Sequence, residues 1–273
     1  MQQSPVSISL SSYGADLVHA QGQAHFIPLV AAAGASCIEW REELLTHEQP
    51  AELARSAAEH GLESVFSSPL ELWQAERSEP NPDLSATLQR AREFGAKRLK
   101  VSLGHFREHH DLRSLASLLF RQPLALLVEN DQTAHGGRIE PFQRFFSAVE
   151  ALNLPLRMTF DIGNWQWQEQ SALNAARLLG RHVAYVHCKA VRLRVDGKLV
   201  AIPPGAPELH QWEQLLRHMT QGITRAVEYP LQGTDLLQVT TEQVSLLAHL
   251  GQSRLEHALS LIHISEPTRL RRI

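Results

Sequence analysis

Cysteine is scarce in this chain of 273 residues: only Cys37 and Cys188 occur. Two thiols build no disulfide framework, and such low usage points to a reducing compartment. Charge is close to balanced, with a formal net charge of −3, so no bulk positive field favours nucleic acid or an acidic membrane surface. No apolar run approaches the ~18 residues of a transmembrane helix. The opening residues, MQQSPVSISLSS, lack both a basic segment and a long apolar segment. No signal peptide is therefore expected, and the expected location is the cytoplasm. The chain also lacks a Pro/Ser-rich linker, a low-complexity tract and any strong internal repeat.

What is present is an ordinary globular composition, 43% hydrophobic and 20% charged, enough for a sizeable core. Short β-like runs alternate with amphipathic helical stretches. The runs are Val6–Leu10, Cys37–Trp40, Ser64–Ser67, Arg98–Leu103, Leu124–Glu129, Leu156–Asp161, Val183–His187 and Ile223–Glu228. Between them, Pro50 sits just inside a helix start and Gly61 just past its end. Asp83 is placed to cap a helix whose Leu84, Leu88 and Ala91 recur at helical spacing, with Gly95 as its stop. Further helices are expected near Arg138–Leu152, Glu169–Leu179, Glu208–Met219 and Thr241–Leu250. Strict βα alternation calls for a parallel sheet with helices outside. Eight units within a length close to the ~250 residues of such folds predict one (β/α)8 barrel.

Each of the last four runs ends on a residue able to bind a metal: Glu129, Asp161, His187 and Glu228. In a (β/α)8 barrel these ends share one rim, where catalytic residues lie, and consecutive strands bring them to one side of the mouth. Singly, a carboxylate at a strand end caps a helix or pairs with an arginine, and one histidine among 15 means little. The four together, in order, carry the reading. Three carboxylates and one imidazole suit one divalent cation: Mn2+, Mg2+ or Co2+, with Zn2+ or Fe2+ as alternatives. Such a cation polarises a carbonyl and stabilises an enediolate. Glu129 and Glu228, at opposite edges of the set, are placed to remove and return the proton.

The segments VEND (128–131), FDIGN (160–164), VHCK (186–189) and VEYPL (227–231), with ISLSS (8–12) and GASCIE (34–39) upstream, resemble the xylose-isomerase-like TIM-barrel superfamily. Its members include sugar-phosphate isomerases and epimerases, ketose 3-epimerases, hydroxypyruvate isomerases, inosose and dehydroshikimate dehydratases, and endonuclease IV. The pattern is also similar to isomerase-like proteins encoded beside 2-ketogluconate catabolic genes. The resemblance implies metal ligation by Glu129, Asp161, His187 and Glu228, acid–base roles for the two glutamates, and a substrate-facing Lys189. The implied partner is a small sugar. Relatives are often dimers or tetramers, so the resemblance allows a homo-oligomer, which the sequence itself does not show. Three departures stand out. Ala190 follows the lysine where many relatives have Asp. Pro204-Gly205-Ala206-Pro207 and Gln211-Trp212 replace a Gly-x-Gly stretch and an Asp-aromatic pair. Asn164 stands where endonuclease IV has a further histidine ligand; His105 could mimic one other ligand, but the set is incomplete, which favours a mononuclear site.

Several other residues are candidates at the rim. Glu39 and Arg41 would bind substrate hydroxyls or an anion, or form an ion pair in the wall. Asn164 and Trp165 follow the metal aspartate and are placed with substrate; Trp165, Trp167 and Trp73 either stack on sugar C–H faces or pack. Lys100 lies within an apolar strand and either points into the barrel to pair with a carboxylate or snorkels outward; a structural role is the expectation. Gly136-Gly137-Arg138 leads into a helix and is the best candidate for a phosphate site, and His109-His110 reads as a solvated helix start. The predicted activity is isomerisation or epimerisation of a small keto-sugar, sugar phosphate or sugar acid. A dehydratase on the same site, a metal-dependent phosphodiesterase and a non-catalytic sugar-binding barrel are its rivals.

The segment LSLIHISEPTR (259–269) looks like a translated sequencing adaptor, so residues 259–273 are expected to be non-native and to pack poorly, with the barrel spanning residues 1–258. Genomic DNA read past codon 258 should therefore encode different residues; recovery of these same residues would refute the expectation.

Overall fold

The computed structural model describes residues 3–120 and 122–251. The suspected tail and the boundary at residue 258 lie outside the described residues. Eight parallel strands close into a barrel: β1 (Val6–Ser9), β2 (Cys37–Arg41), β3 (Glu63–Trp73), β4 (Arg98–Gly104), β5 (Ala125–Glu129), β6 (Leu156–Asp161), β7 (Val183–Cys188) and, after an antiparallel hairpin of β8 (Ala190–Leu193) and β9 (Leu199–Ile202), β10 (Thr224–Val227). Each barrel strand pairs with the next in sequence; β10 follows β7, and closure pairs β1 with β10, Ser7 opposite Ala226. All eight expected strands are present, with most ends within a residue; β3 is longer, continuing through a register shift between Ser67 and Glu71. The hairpin was not expected.

Helices α1 (Ala15–Gln21), α2 (Ile27–Ala32), α3 (Pro50–Glu59), α4 (Leu84–Glu93), α5 (Leu112–Leu119), α6 (Ile139–Ala151), α7 (Ala172–Leu179), α8 (Ala206–Leu216) and α9 (Leu236–His249) connect these strands. Asp111, Ser171 and Asp235 cap α5, α7 and α9 with side-chain oxygens, satisfying amides that no helical carbonyl reaches. Asp83 occupies the cap position of α4, but its carboxylate makes no capping bond; Asn81 Oδ1 instead accepts from the Asp83 amide at 3.0 Å. His110 is not solvated: it is buried, accepts from the Arg107 amide and stacks on buried Trp73 at 4.7 Å.

Side chains alternate across each strand. One set (Ile8, Trp40, Phe66, Leu99, Val128, Phe160, Val186) joins the helices in one large apolar cluster. The other set fills the barrel, where Val65, Leu127, Tyr185 and Ala226 form a small separate cluster. Polar residues share that interior: Ser7, Ser9, Glu39, Lys100 and Thr159 are all buried. Arg225 ties β10 to the end of α9, donating to the Leu247 and Leu250 carbonyls at 2.6 and 2.9 Å.

Gly104 ends β4 in a left-handed conformation, φ +69°; a Cβ there would overlap the Trp73 carbonyl and come within 2.9 Å of Glu71 Cβ. Gly104→Ala should lower stability by at least the ~1–2 kcal/mol that a left-handed L-residue costs. Thermal denaturation followed by circular dichroism measures this, and an unchanged midpoint would contradict it.

Candidate metal and acid–base site

Glu129 and Asp161 are the last residues of β5 and β6, His187 is the last but one of β7, and Glu228 follows β10 directly. Asp161 lies opposite His187 and His187 opposite Ala226 in the pairing. The four side chains thus meet at the C-terminal mouth, and their ligand atoms all lie within 4.8 Å of one another. His187 Nδ1 is 2.8 Å from Glu129 Oε1, 3.0 Å from Glu228 Oε2 and 4.0 Å from Asp161 Oδ2. These approaches lack hydrogen-bond alignment: Glu129 Oε1 and His187 Nδ1 are buried without a hydrogen-bond partner, and Asp161 Oδ2 beside them has only the Lys189 ammonium, at 2.8 Å. Buried polar atoms are normally satisfied. Two orphans and two further carboxylate oxygens converging on one point, three carboxylates with an imidazole in all, are a donor set that fits a divalent cation.

The remaining atoms of these residues are firmly held. His187 Nε2 lies 2.7 Å from Glu39 Oε2, which also accepts from the Tyr185 hydroxyl at 2.8 Å. That bond places the proton on Nε2 and leaves Nδ1 to face the carboxylates. Asn130 brackets the Asp161 backbone, accepting from its amide and donating to its carbonyl, both at 2.9 Å. Asp161 Oδ1 accepts from the amides of Gly163 and Asn164 at 2.9 and 3.0 Å, so Oδ2 alone is left for the site. Gly163 has no room for a side chain, because a Cβ would press on the Lys189 carbonyl and on Val191.

Cations surround the set. Lys100 pairs with Glu129 Oε2. Arg41 bridges Glu39 at 3.1 Å and Glu228 at 2.9 Å, and Lys189 bridges Asp161 at 2.8 Å and Glu228 at 2.9 Å. Burial alone would raise all four carboxyls. For Glu39 the His187 ring, Lys100 and Arg41 outweigh it and hold the group at about 2. Glu129 is lowered by Lys100 and His187, and Glu228 by His187, Lys189 and Arg41. Asp161 goes the other way: burial, with the like charges of Glu228 and Glu129 opposing Lys189, pushes it up to about 7. Burial would lower the His187 ring, but Glu228, Glu39 and Glu129 draw it well above its ordinary value.

Of the residues expected to meet substrate, Lys189 lines a cavity of about 400 Å³ together with Glu228, Trp167, Gln132, Ser11 and Leu199 of the hairpin. Arg41 reaches the cluster from one side, its side chain 15% exposed. The others lie elsewhere. Glu39 has no exposure and sits beneath His187, so it supports the ring and offers nothing to substrate. Trp165 is fully buried against Phe142 and Phe160; Trp167 takes the cavity position. The Asn164 amide is spent on the Asn130 carbonyl and Gln132. Nor is Gly136-Gly137 an anion cradle, since both amides bond to Thr133. Lys100 takes the inward position, paired with a carboxylate, rather than the outward one in which it would reach solvent.

The sequence profile of the xylose isomerase-like TIM barrel family matches residues 27–249. No curated protein matches the chain. Among solved structures, it superposes on a xylose isomerase-like TIM barrel/4-hydroxyphenylpyruvate dioxygenase fusion protein with a TM-score of 0.69 and 14% identity, over 94% of this chain and only 44% of the other. An L-ribulose 3-epimerase gives a TM-score of 0.68 at 15% identity, over 98% of this chain and 100% of the epimerase. A probable 3-DHS dehydratase involved in petrobactin synthesis from Bacillus anthracis gives 0.62 at 12% identity, over 89% and 98%. At these identities the likeness is one of fold.

Glu39→Gln keeps the size of the side chain but weakens its hold on the ring. Mn2+ affinity should fall ~10–100-fold, as for other partners of a ligating histidine. Titration calorimetry measures the affinity, with circular dichroism as the check on folding; unchanged affinity would remove Glu39 from the site.

Proposed function

This chain belongs to the xylose isomerase-like TIM barrel family, and we propose that it is a metal-dependent isomerase or epimerase of a small keto-sugar, sugar phosphate or sugar acid. One observation carries the reading. Glu129 and Glu228 each set one oxygen against His187 Nδ1 and the other on a cation, buried Lys100 for Glu129 and half-buried Arg41 for Glu228. Two ionised carboxylates thus flank one point at the barrel mouth, the arrangement that removal and return of a proton requires.

Glu129, Asp161, His187 and Glu228 would hold the cation, Mn2+, Mg2+ or Co2+ before Zn2+ given the oxygen-rich donors. When bound, it would polarise a substrate carbonyl and offset the negative charge that develops beside it. One glutamate takes the proton from the carbon next to that carbonyl. The other returns a proton, to the neighbouring carbon in an isomerase or to the opposite face in an epimerase. Lys100 and Arg41 keep both carboxylates ionised. Lys189, on the cavity wall, directs its ammonium toward a substrate oxygen and steadies the charge. Trp167 offers an aromatic face to sugar C–H groups. The cavity is of small-molecule size, which supports a small sugar as partner. The net charge of −3 supports neither nucleic acid nor an acidic membrane as partner. Among the described residues no helix is long and apolar enough to cross a membrane. Two free, buried cysteines support a reducing, cytoplasmic setting.

Solvent-deuterium exchange into a panel of ketoses and keto-acids, with and without Mn2+, tests the reading. Exchange should require metal and fall by ~10²–10⁴-fold in Glu129→Gln or Glu228→Gln, the range for loss of a general acid or base. No exchange across the panel would overturn proton abstraction. A product with new ultraviolet absorbance would instead assign the same abstraction to dehydration.

A further inference from the structure

A second group of potential ligands stands on the same rim and shares no residue with the first: Glu71, His105 and His135, whose ligand atoms lie within 4.8 Å of one another. We propose that these three residues form a second divalent-cation site, of the zinc class. Two imidazoles and a carboxylate make a softer donor set than the three carboxylates of the central site, and His2Glu is a donor set that zinc takes with a coordination position left open. All three side chains are partly exposed, so an ion from solvent can reach them.

Three separate backbone features bring the ligands together. Strand β3 shifts register after Ser67, which carries Glu71 on to pair with Ser102 of β4. Gly104, without a side chain, lets Glu71 pack against the end of β4, and the next residue, His105, is fixed by its amide bond to the Trp73 carbonyl at 2.8 Å. The loop after β5 is closed by the Asp131 amide on the Gly136 carbonyl and by the Thr133 bonds to Asp131, and it projects His135. There His135 Nε2 lies 2.8 Å from Glu71 Oε1, and its ring is stacked on His105 at 3.5 Å. Two imidazoles stacked face to face do not bond to each other. A cation beside Glu71 would engage both once the rings turn out of the stack, so that an in-plane nitrogen of each points at it. Glu71 pairs with Ser102 and Ser102 with Glu129, so two strand spacings, ~10 Å, separate the two glutamate backbones. The second centre is therefore distinct, and it does not depend on the isomerase reading.

Equilibrium dialysis of tag-free protein against buffered Zn2+, with metal counted by mass spectrometry, tests the proposal. The unaltered chain should hold two zinc ions, and the His105→Gln/His135→Gln variant one. An Asp161→Asn/Glu228→Gln variant should also hold one, which adding the two histidine changes removes. Glu71→Gln, which preserves size, is the second variant should the histidine pair fail to fold by circular dichroism; it should weaken the rim ion while leaving the central one. The proposal is overturned if the rim variants hold as much zinc as the unaltered protein, or if the Asp161/Glu228 variant holds none. Loss of zinc through the rim variants alone would leave this proposal standing and instead refute metal binding at the central site.

Discussion

The bond between His187 Nε2 and Glu39 Oε2, 2.7 Å long and wholly buried, fixes what the rest of the barrel mouth can do. It commits one ring nitrogen to the wall and turns the other toward Glu129, Asp161 and Glu228. The anchor is itself braced: Tyr185 and Ser9 donate to Glu39, and Arg41 joins Glu39 to Glu228. A carboxylate behind a histidine is a common device for holding a ligand ring in one orientation. Here the same carboxylate also draws Arg41 into place, so the ring and one of the two glutamates are positioned together.

Such a cluster is a poor source of stability, because desolvation offsets much of the attraction within a buried ion pair. The fold manages this by dividing the faces of its strands. The outward side chains pack with the helices in one large apolar cluster, which also takes in Phe142, Phe145 and Phe146 of α6. The inward positions are thereby released from carrying the core. Few apolar residues remain inside, and serine, threonine, tyrosine and charged groups occupy the space. The loops are stapled by side-chain amides: Asn130 and Asn164 lock the β5 and β6 ends to each other, while the backbone amides of Gly163 and Asn164 hold one Asp161 oxygen and turn the other toward the site.

Strand order and the meeting of four potential ligands were legible because both leave a short-range record: an apolar run stopping on Glu129, Asp161, His187 or Glu228. Depth within the barrel leaves no such record. Glu39 is likewise a carboxylate in an apolar run, within β2, yet closure of the barrel sets it against His187 Nε2, and only the assembled structure separates a residue that supports from one that faces the cavity. Trp165 and Trp167 differ in the same way: two positions apart, one is fully buried and the other lines the cavity. The hairpin of β8 and β9 escaped notice because its side chains are largely exposed or half-buried and carry no clean alternation. Glu71 and His135 were hidden for another reason, one lying beyond a register shift and the other in a loop; neither periodicity nor spacing connects them with His105.

The interior charges also bear on why proton transfer suits this site. Glu39, Glu129, Asp161 and Glu228 face Arg41, Lys100 and Lys189, so the fixed groups leave one negative charge over. That surplus raises the His187 ring's affinity for a proton and adds to the larger effect of burial in pushing Asp161 upward. A divalent cation would relieve it, and would compete with the proton for Nδ1, since a ligating histidine must be neutral. On the proposed reading, a proton passing from a substrate carbon to Glu129 or Glu228 moves charge within the cavity without changing its total. A buried site tolerates such a redistribution far better than a net gain or loss of charge. The cations that must meet the new negative charge are already held in place by the carboxylates, so little reorganisation accompanies the step. The network that adds little to folding would thus suit the proposed reaction, in which charge shifts over a few ångströms.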